Sequence, residues 1–584
     1  MSQSKILSRI NILKYIVLAA LEIIIVRLFF IQIIEHADWV AKADEQHTIL
    51  ETITPKRGEI YMMDKGEPVP IVLNQTMYQV VIDPTVTRKE DIEKVVNDYV
   101  KDYTVVNLDE VYSQENLRYA IVAKDVPREK AEEIADSGTP AIWLKKTNRR
   151  VYPEGELASG LLGFMNNDGV GQYGVEGSLN DMLAGKEGLL KTTADINKVA
   201  LSIGNDNVRV QAEDGKNVVL SIDRGLERGI EEIAAATINE TTADHASVLV
   251  MNPNNGEVLA MANLPSYDPN NYTEVTDASV YVNQITDVPY EPASICKNFA
   301  FSAAINEGLM TGDTTYFNQG YEIVDGWKIE NAEQRSILYG TLTMRDALYW
   351  SLNTGSIYAL KLLGGDPNSI NQTGREKLYD YYHNKLRLGQ ITGIELIEAE
   401  GYIPDPNEGW GRDSTYANMT FGQNLGITMI QTATAFSAVI NGGVYHTPYV
   451  VKGFYENGEL IEEKQVEDVN DQVLSEETST MMREMLINNR SYRKRAGVDR
   501  DGYAIGGKSG TAQVVRDGAY DDTMSELVGS YIGFVGPEGE LPKYVIMVKM
   551  WGEGQSIDSG QAMTMFDSLS NYLIDYLKIK PGAA

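Results

Sequence analysis

Ser294 and Lys297 stand three positions apart in Glu291-Pro-Ala-Ser-Ile-Cys-Lys-Asn-Phe299, at the opening of an apolar, helix-like stretch. A serine hydroxyl is a poor nucleophile until a neighbouring base removes its proton. On an α-helix, three residues turn the chain through about 300°, so Lys297 returns to the face of Ser294. A lysine that is desolvated there, or placed near another cation, loses its proton and becomes a base. The chemistry implied is attack by Ser294 through a covalent intermediate. By itself Ser-x-x-Lys carries little weight, because surface helices hold that spacing by chance.

Two further clusters add to the pair. Ser351-Leu-Asn353 follows a helix-like segment, Thr343 to Trp350, and supplies a second hydroxyl and an amide. Lys508-Ser-Gly-Thr-Ala-Gln513 follows Gly506-Gly507 and runs into Val514-Val515, which reads as a strand. Ser-x-x-Lys, Ser-x-Asn and Lys-Thr-Gly are the signature of β-lactamases and penicillin-binding proteins, and they occur here in that order, the last as Lys508-Ser-Gly510.

The resemblance extends along the chain. Asn254-Asn-Gly-Glu-Val-Leu-Ala-Met-Ala262, followed by Pro265-Ser-Tyr-Asp-Pro-Asn270, resembles the first hairpin of a penicillin-binding transpeptidase. Pro55-Lys-Arg-Gly-Glu-Ile-Tyr61 resembles the start of the amino-terminal module of class B members. Arg150-Val-Tyr-Pro153 and Gly171-Gln-Tyr-Gly-Val-Glu176 resemble later parts of it. The chain is thus similar to a class B penicillin-binding protein from about residue 15 to the end, nearest the FtsI-like division type. Three departures stand out: Met62-Met63 where the family often has Asp-Arg, Ala293 where Gly is usual, and Ser509 where Thr is usual.

The resemblance implies acyl transfer on peptidoglycan stem peptides. Ser294 would be the nucleophile and Lys297 its base. Ser351 and Lys508 would relay the proton, and Lys508 would hold Lys297 neutral by like-charge repulsion. Asn353 would position substrate amides. Ser509, Gly510 and Thr511 would bind substrate, with the two hydroxyls receiving its carboxylate. The backbone N–H groups of Ser294 and Thr511 would form the oxyanion hole. β-Lactams are the expected inhibitors, and no cofactor is implied.

The elements that must position these groups are legible in outline. A helix is expected at Arg224 to Thr237, then a hairpin, Ala246–Met251 and Glu257–Met261, across Asn255-Gly256. Three more strands are expected at Gly507–Val515, Ser530–Val535 and Tyr544–Lys549, with a last helix from about Gln561 to Ile579. The hydrophobic pattern alone supports α/β or α+β. The resemblance implies a five-stranded antiparallel sheet flanked by helices, as in serine β-lactamases and transpeptidases. Glu456 to Thr480, rich in acidic residues, reads as a solvated hairpin or loop.

Ile10 to Ile34 is apolar enough for a membrane helix, since about 20 apolar residues span a bilayer core. Lys5, Arg9 and Lys14 precede it and Glu35, Asp38, Asp44 and Glu45 follow, which predicts a cytoplasmic amino end. No small-residue cleavage site follows the run, so an uncleaved anchor is expected. The expected divisions are residues 1–35, tail and anchor; 36–212, an elongated class B pedestal; and 213–584, the transpeptidase domain. The last joint falls in the polar stretch Gln211-Ala-Glu-Asp-Gly-Lys216.

Lys and Arg total 51 against 83 Asp and Glu, a net charge of −32, which repels phosphate backbones and makes nucleic acid an improbable partner. Five histidines lack ligand spacing, so no metal site is expected. The single cysteine, Cys296, lies about 200° round the helix from Ser294 and is expected to be a small buried hydrophobe.

A β-lactamase would need a group that activates water, and no Glu here carries a recognisable signature for it. A penicillin sensor would need more spans and an output domain. An elongation-type transpeptidase, or a non-catalytic division scaffold of the same fold, stays open as the alternative. Glu22 and Arg27 fall inside the apolar span, where charge is costly. The resemblance implies a multi-span SEDS glycosyltransferase partner of the FtsW or RodA kind, alongside other division proteins, and Glu22 is the residue expected to face it.

Overall fold

The uninterrupted apolar run at the amino end folds as one helix, Gln3–Phe29, continued by a π-helical turn, Phe30–Ile34. At 1.5 Å per residue, the 25 residues Ile10–Ile34 reach about 37 Å, enough for a bilayer core of about 30 Å. Among the described residues this is the one helix long and apolar enough to cross a membrane. Arg27 pairs with Glu35 at 3.7 Å, toward the end of the span. The computed structural model describes residues 3–39, 42, 48–193, 208–464, 471–516, 519–520 and 526–582.

The chain divides into two compact units, residues 1–57 with 184–215, and 58–183 with 216–584. The first contains the apolar helix and an antiparallel sheet of Thr48–Ile53, Gly188–Thr193 and Val208–Val210.

The second unit holds two large sheets. In one, Ile60–Asp64 lies between Glu67–Ile82 and Val218–Asp223, so distant segments share a sheet. Met62, where the family often has Asp, is fully buried. The local ion pairing comes from elsewhere: Arg224 binds Asp64 at 3.1 Å and Glu154 at 2.6 Å. The fully buried Arg150–Glu176 pair, 2.6 Å apart, fastens the strand Ile142–Val151 to the Gly171–Glu176 segment.

The other is the expected five-stranded antiparallel sheet, ordered Val258–Leu264, His245–Met251, Tyr544–Trp551, Leu527–Pro537, Tyr503–Gln513. Both faces are covered, so the inner strands His245–Met251, Tyr544–Trp551 and Leu527–Pro537 are buried along nearly their whole length, whereas the edge strand Tyr503–Gln513 carries the polar Lys508, Ser509 and Thr511. Val248 and Val250 pack with Leu226 and Ile230 of the helix Arg224–Glu240 and with Phe566 and Leu569 of the carboxy-terminal helix Ser559–Tyr576. Leu249 and Met251 point the other way, into the larger core with Phe299, Ala300 and Phe436. The helices on that face, Lys297–Asn306 and Met429–Ile440, are buried on nearly every side.

The acidic stretch Glu456 to Thr480 is only partly a loop. A hairpin turns at Asn457-Gly458, and a helix, Glu476–Arg495, begins where Ser475 caps the N–H of Thr478. Its acidic first turn and basic last turn suit the helix dipole, and its buried Thr478, Ser479 and Met482 explain why it is not solvated throughout. Residues 465–470 of that stretch lie outside the described residues. From this helix the buried Arg490 binds Asp499 and Asp567, at 2.7 and 2.5 Å, tying it to the carboxy-terminal helix.

Candidate active site

Ala293–Cys296 form one 3₁₀ turn that feeds the helix Lys297–Asn306. In a 3₁₀ turn residues i and i+3 eclipse, so Lys297 lies over Ser294 more directly than an α-turn would place it. The Lys297 ammonium nitrogen is 2.9 Å from Ser294 Oγ. Ala293 has φ +50°, a left-handed conformation that costs a residue with a Cβ about 1–2 kcal/mol. Gly422, itself at φ +82°, packs so closely that a Cβ there would come within 2.1 Å of the Ala293 carbonyl oxygen.

Lys297 has no exposed surface, and Nζ also reaches the Ser351 carbonyl at 2.5 Å and Ser351 Oγ at 3.1 Å. None of these three partners is a carboxylate. Burial drives its pKa well below the usual lysine value, and the charge of Lys508 pushes it further. Ser351 sits at φ +56° between the helices Met344–Tyr349 and Asn353–Leu363, which turns its hydroxyl toward Lys297. Asn353 opens the second helix and donates Nδ2 to the Glu330 carbonyl at 2.8 Å, holding the hairpin Tyr321–Val324 and Trp327–Glu330.

Lys508 lies on the edge strand Tyr503–Gln513, 2% exposed, with Nζ 3.1 Å from the Ser509 carbonyl and 3.4 Å from Ser509 Oγ. Burial pulls its pKa down to about 7. Gly510 is required: a Cβ there would stand 2.4 Å from the Pro292 carbonyl and 2.6 Å from Ser530 Oγ, so this strand presses on the turn that carries Ser294. The next residue, Thr511, is exposed, and its Oγ1 accepts the Ser559 N–H at 3.3 Å.

Ser294, Asn353 and Thr511 open onto one cavity of about 800 Å³. Lys297, Ser351, Lys508, Ser509 and Gly510 do not line it. Its outer walls include residues the motifs did not signal: Trp327, Glu330, Trp410 and Arg412. They come from a short hairpin and an irregular loop, and only the exposure of two tryptophans, 71% at Trp327 and 73% at Trp410, marks them. Chemically, the arrangement offers a hydroxyl beside an amine that sheds its proton readily, shielded from water and facing a groove wide enough for a peptide.

Cys296 points into the core, as its helical phase predicts. It is fully buried, its thiol pKa is pushed up by burial, and Tyr382 donates to its carbonyl at 3.2 Å. A thiol reagent is expected to react slowly with the folded protein and quickly after denaturation, read by the time course of mass shift. Fast native reaction that also blocks the cavity would contradict this packing.

Residues 246–570 match the family described as penicillin binding protein transpeptidase domain, and residues 52–220 match the penicillin-binding protein dimerisation domain. The chain belongs to the penicillin-binding protein transpeptidase family. It is 28% identical over 537 residues to stage V sporulation protein D of Bacillus subtilis, covering 90% of this chain and 79% of that protein. It is 27% identical over 444 residues to the peptidoglycan D,D-transpeptidase FtsI of Escherichia coli K12, covering 75% and 71% of the two. Penicillin-binding protein 3 of Mycobacterium tuberculosis, in its aztreonam complex, superposes with a TM-score of 0.66 at 22% identity, over 91% of this chain and 98% of that one. That likeness shows the fold: a pedestal module joined to a transpeptidase domain.

Proposed function

We propose that this chain is a membrane-anchored peptidoglycan D,D-transpeptidase of the FtsI kind, which crosslinks stem peptides during septation through an acyl-enzyme on Ser294. The observation that carries this reading is the buried Lys297 amine bridging the hydroxyls of Ser294 and Ser351 with no carboxylate among its partners. The names of the relatives support the same activity.

In this mechanism Lys297 takes the Ser294 proton, and Oγ attacks the carbonyl between the two terminal D-alanines. The backbone N–H groups of Ser294 and Thr511 hold the oxyanion. Ser351 and Lys508 pass the proton to the leaving D-alanine nitrogen as the peptide bond breaks. The side chains of Ser509 and Thr511 receive the terminal carboxylate, and Gly510 keeps that strand against the nucleophile. Asn353 braces the hairpin wall and orients substrate amides. The amine of a second stem then attacks the ester, a new peptide bond forms, and Ser294 recovers its proton. The pedestal is residues 36–212 and the transpeptidase domain 213–584.

The test supplies the purified protein with uncrosslinked glycan strands bearing pentapeptide stems. Release of D-alanine together with dimeric muropeptides supports the reading. D-Alanine release with hydrolysed monomers alone points to a carboxypeptidase, and rapid turnover of penicillin points to a β-lactamase.

The anchor is oriented with its amino end in the cytoplasm and the catalytic unit outside. Its assembly partner is a SEDS glycosyltransferase of the FtsW kind. Arg27 has Glu35 as a partner, whereas Glu22 makes no ion pair among the described residues. Glu22→Leu is therefore expected to weaken co-purification with that polymerase while leaving membrane insertion and penicillin labelling intact. Unchanged co-purification would reduce this helix to an anchor.

A further inference from the structure

Among the described residues, the walls of the active-site cavity carry one cation without a carboxylate partner. Lys328, Glu330 and Arg412 are the charged residues lining it. Lys328 and Glu330 neutralise each other at 2.6 Å. The neighbouring Arg375 is also occupied, pairing with Asp413 at 3.3 Å and donating to the Gly411 carbonyl at 2.6 Å. Arg412 has no carboxylate within salt-bridge distance among the described residues, although the chain holds 83 acidic residues against 51 basic ones. In such a chain an unpaired arginine on a substrate groove is conspicuous, because random placement would surround it with acids.

Its backbone is fixed while its side chain is exposed. Arg412 N donates to the Trp410 carbonyl at 2.8 Å, and its own carbonyl accepts from Tyr416 N at 3.1 Å, in the first turn of the helix Asp413–Met419. Gly411 before it admits no side chain, since a Cβ would lie 2.3 Å from the Asp405 carbonyl. A guanidinium anchored at its base and free at its tip is suited to bidentate capture of a planar carboxylate. Trp410 and Trp327 add flat apolar walls to the same groove, on which the aliphatic part of a peptide can lie.

Resting on the transpeptidase reading, we propose that Arg412 is a specificity-determining residue that selects donor stems bearing a free carboxylate upstream of the D-alanyl-D-alanine terminus. Two groups on a stem offer that chemistry. One is the α-carboxylate left free by a γ-linked D-glutamate; the other is the side-chain carboxylate of a diaminopimelate third residue. Amidation abolishes either charge while preserving shape.

The experiment measures kcat/KM for D-alanine release from synthetic pentapeptide donors, each carboxylate free or amidated in turn, with the wild-type protein, Arg412→Gln and Arg412→Lys. For the wild type, amidating the recognised carboxylate is expected to lower kcat/KM about tenfold, chiefly through KM, as expected for loss of one charge-assisted hydrogen-bonded pair. The position whose amidation does so identifies the source. In Arg412→Gln the free-to-amidated ratio falls to about one, and Arg412→Lys restores part of it, because its charge remains without the fork. A wild type indifferent to both amidations overturns the proposal. So does an Arg412→Gln variant that slows free and amidated donors alike while keeping their ratio. If no donor releases D-alanine and penicillin forms no adduct, the transpeptidase reading itself fails and this one falls with it.

Discussion

Ser294→Ala is expected to abolish covalent labelling by penicillin while the folded protein melts as before. On the proposed reading the attacking atom is the Oγ that Lys297 Nζ touches at 2.9 Å; Thr511 Oγ1 accepts from Ser559 N, and Ser351, whose Oγ is 3.1 Å from the same Nζ, does not line the cavity. The adduct is an ester to that oxygen, so removing it leaves nothing to acylate. Alanine is compatible with a 3₁₀ turn, which separates loss of chemistry from loss of structure. The readout is intact-protein mass with and without penicillin, beside a thermal melt. An adduct that persists in the variant would place the nucleophile elsewhere.

Lys297→Arg is expected to slow acylation at least about 10²-fold, the range typical of general-base removal. Arginine keeps a cation in the same place but stays protonated throughout the accessible range, so the substitution removes basicity and not charge. The wild-type pH profile carries a second signature. Burial, with the nearby Lys508, lowers the Lys297 pKa, so the neutral, active form is populated well below the ordinary lysine range. Acylation should rise with pH through that depressed pKa and level off above it. Lys508→Ala removes one of the two causes, which raises the Lys297 pKa and moves the rising limb to higher pH. Stopped-flow acylation at several pH values measures both effects. Near-normal acylation by Lys297→Arg would transfer the base role, with Lys508 the first suspect.

The sequence exposed the parts of this site whose spacing is short and whose chemistry is specific. Ser294 and Lys297 are close in sequence, and the tight turn brings them together whichever helical form it takes. The sheet was legible because its strands are short apolar runs bounded by turns such as Asn255-Gly256. The cavity walls were hidden for a physical reason. Trp327 and Trp410 lie in a hairpin and a loop far from every motif, and only the fold gathers them around Ser294. The helix beginning at Glu476 was masked by its acidic composition, which reads as solvated until Ser475 is recognised as a cap.

The crowding at Gly422 and Gly510 bears on how such an enzyme escapes an antibiotic under selection. Backbone oxygens stand 2.1 and 2.4 Å from where a Cβ would sit at these positions, so any side chain there displaces the turn that carries Ser294 or its neighbouring strand. On the proposed reading, altering these positions to refuse the drug is expected to disturb substrate binding as well. The mutational paths left open run through the exposed walls at Trp327 and Trp410, where side chains can change without moving the backbone around Ser294. Resistance substitutions should therefore accumulate along the rim of the groove and leave its floor unchanged.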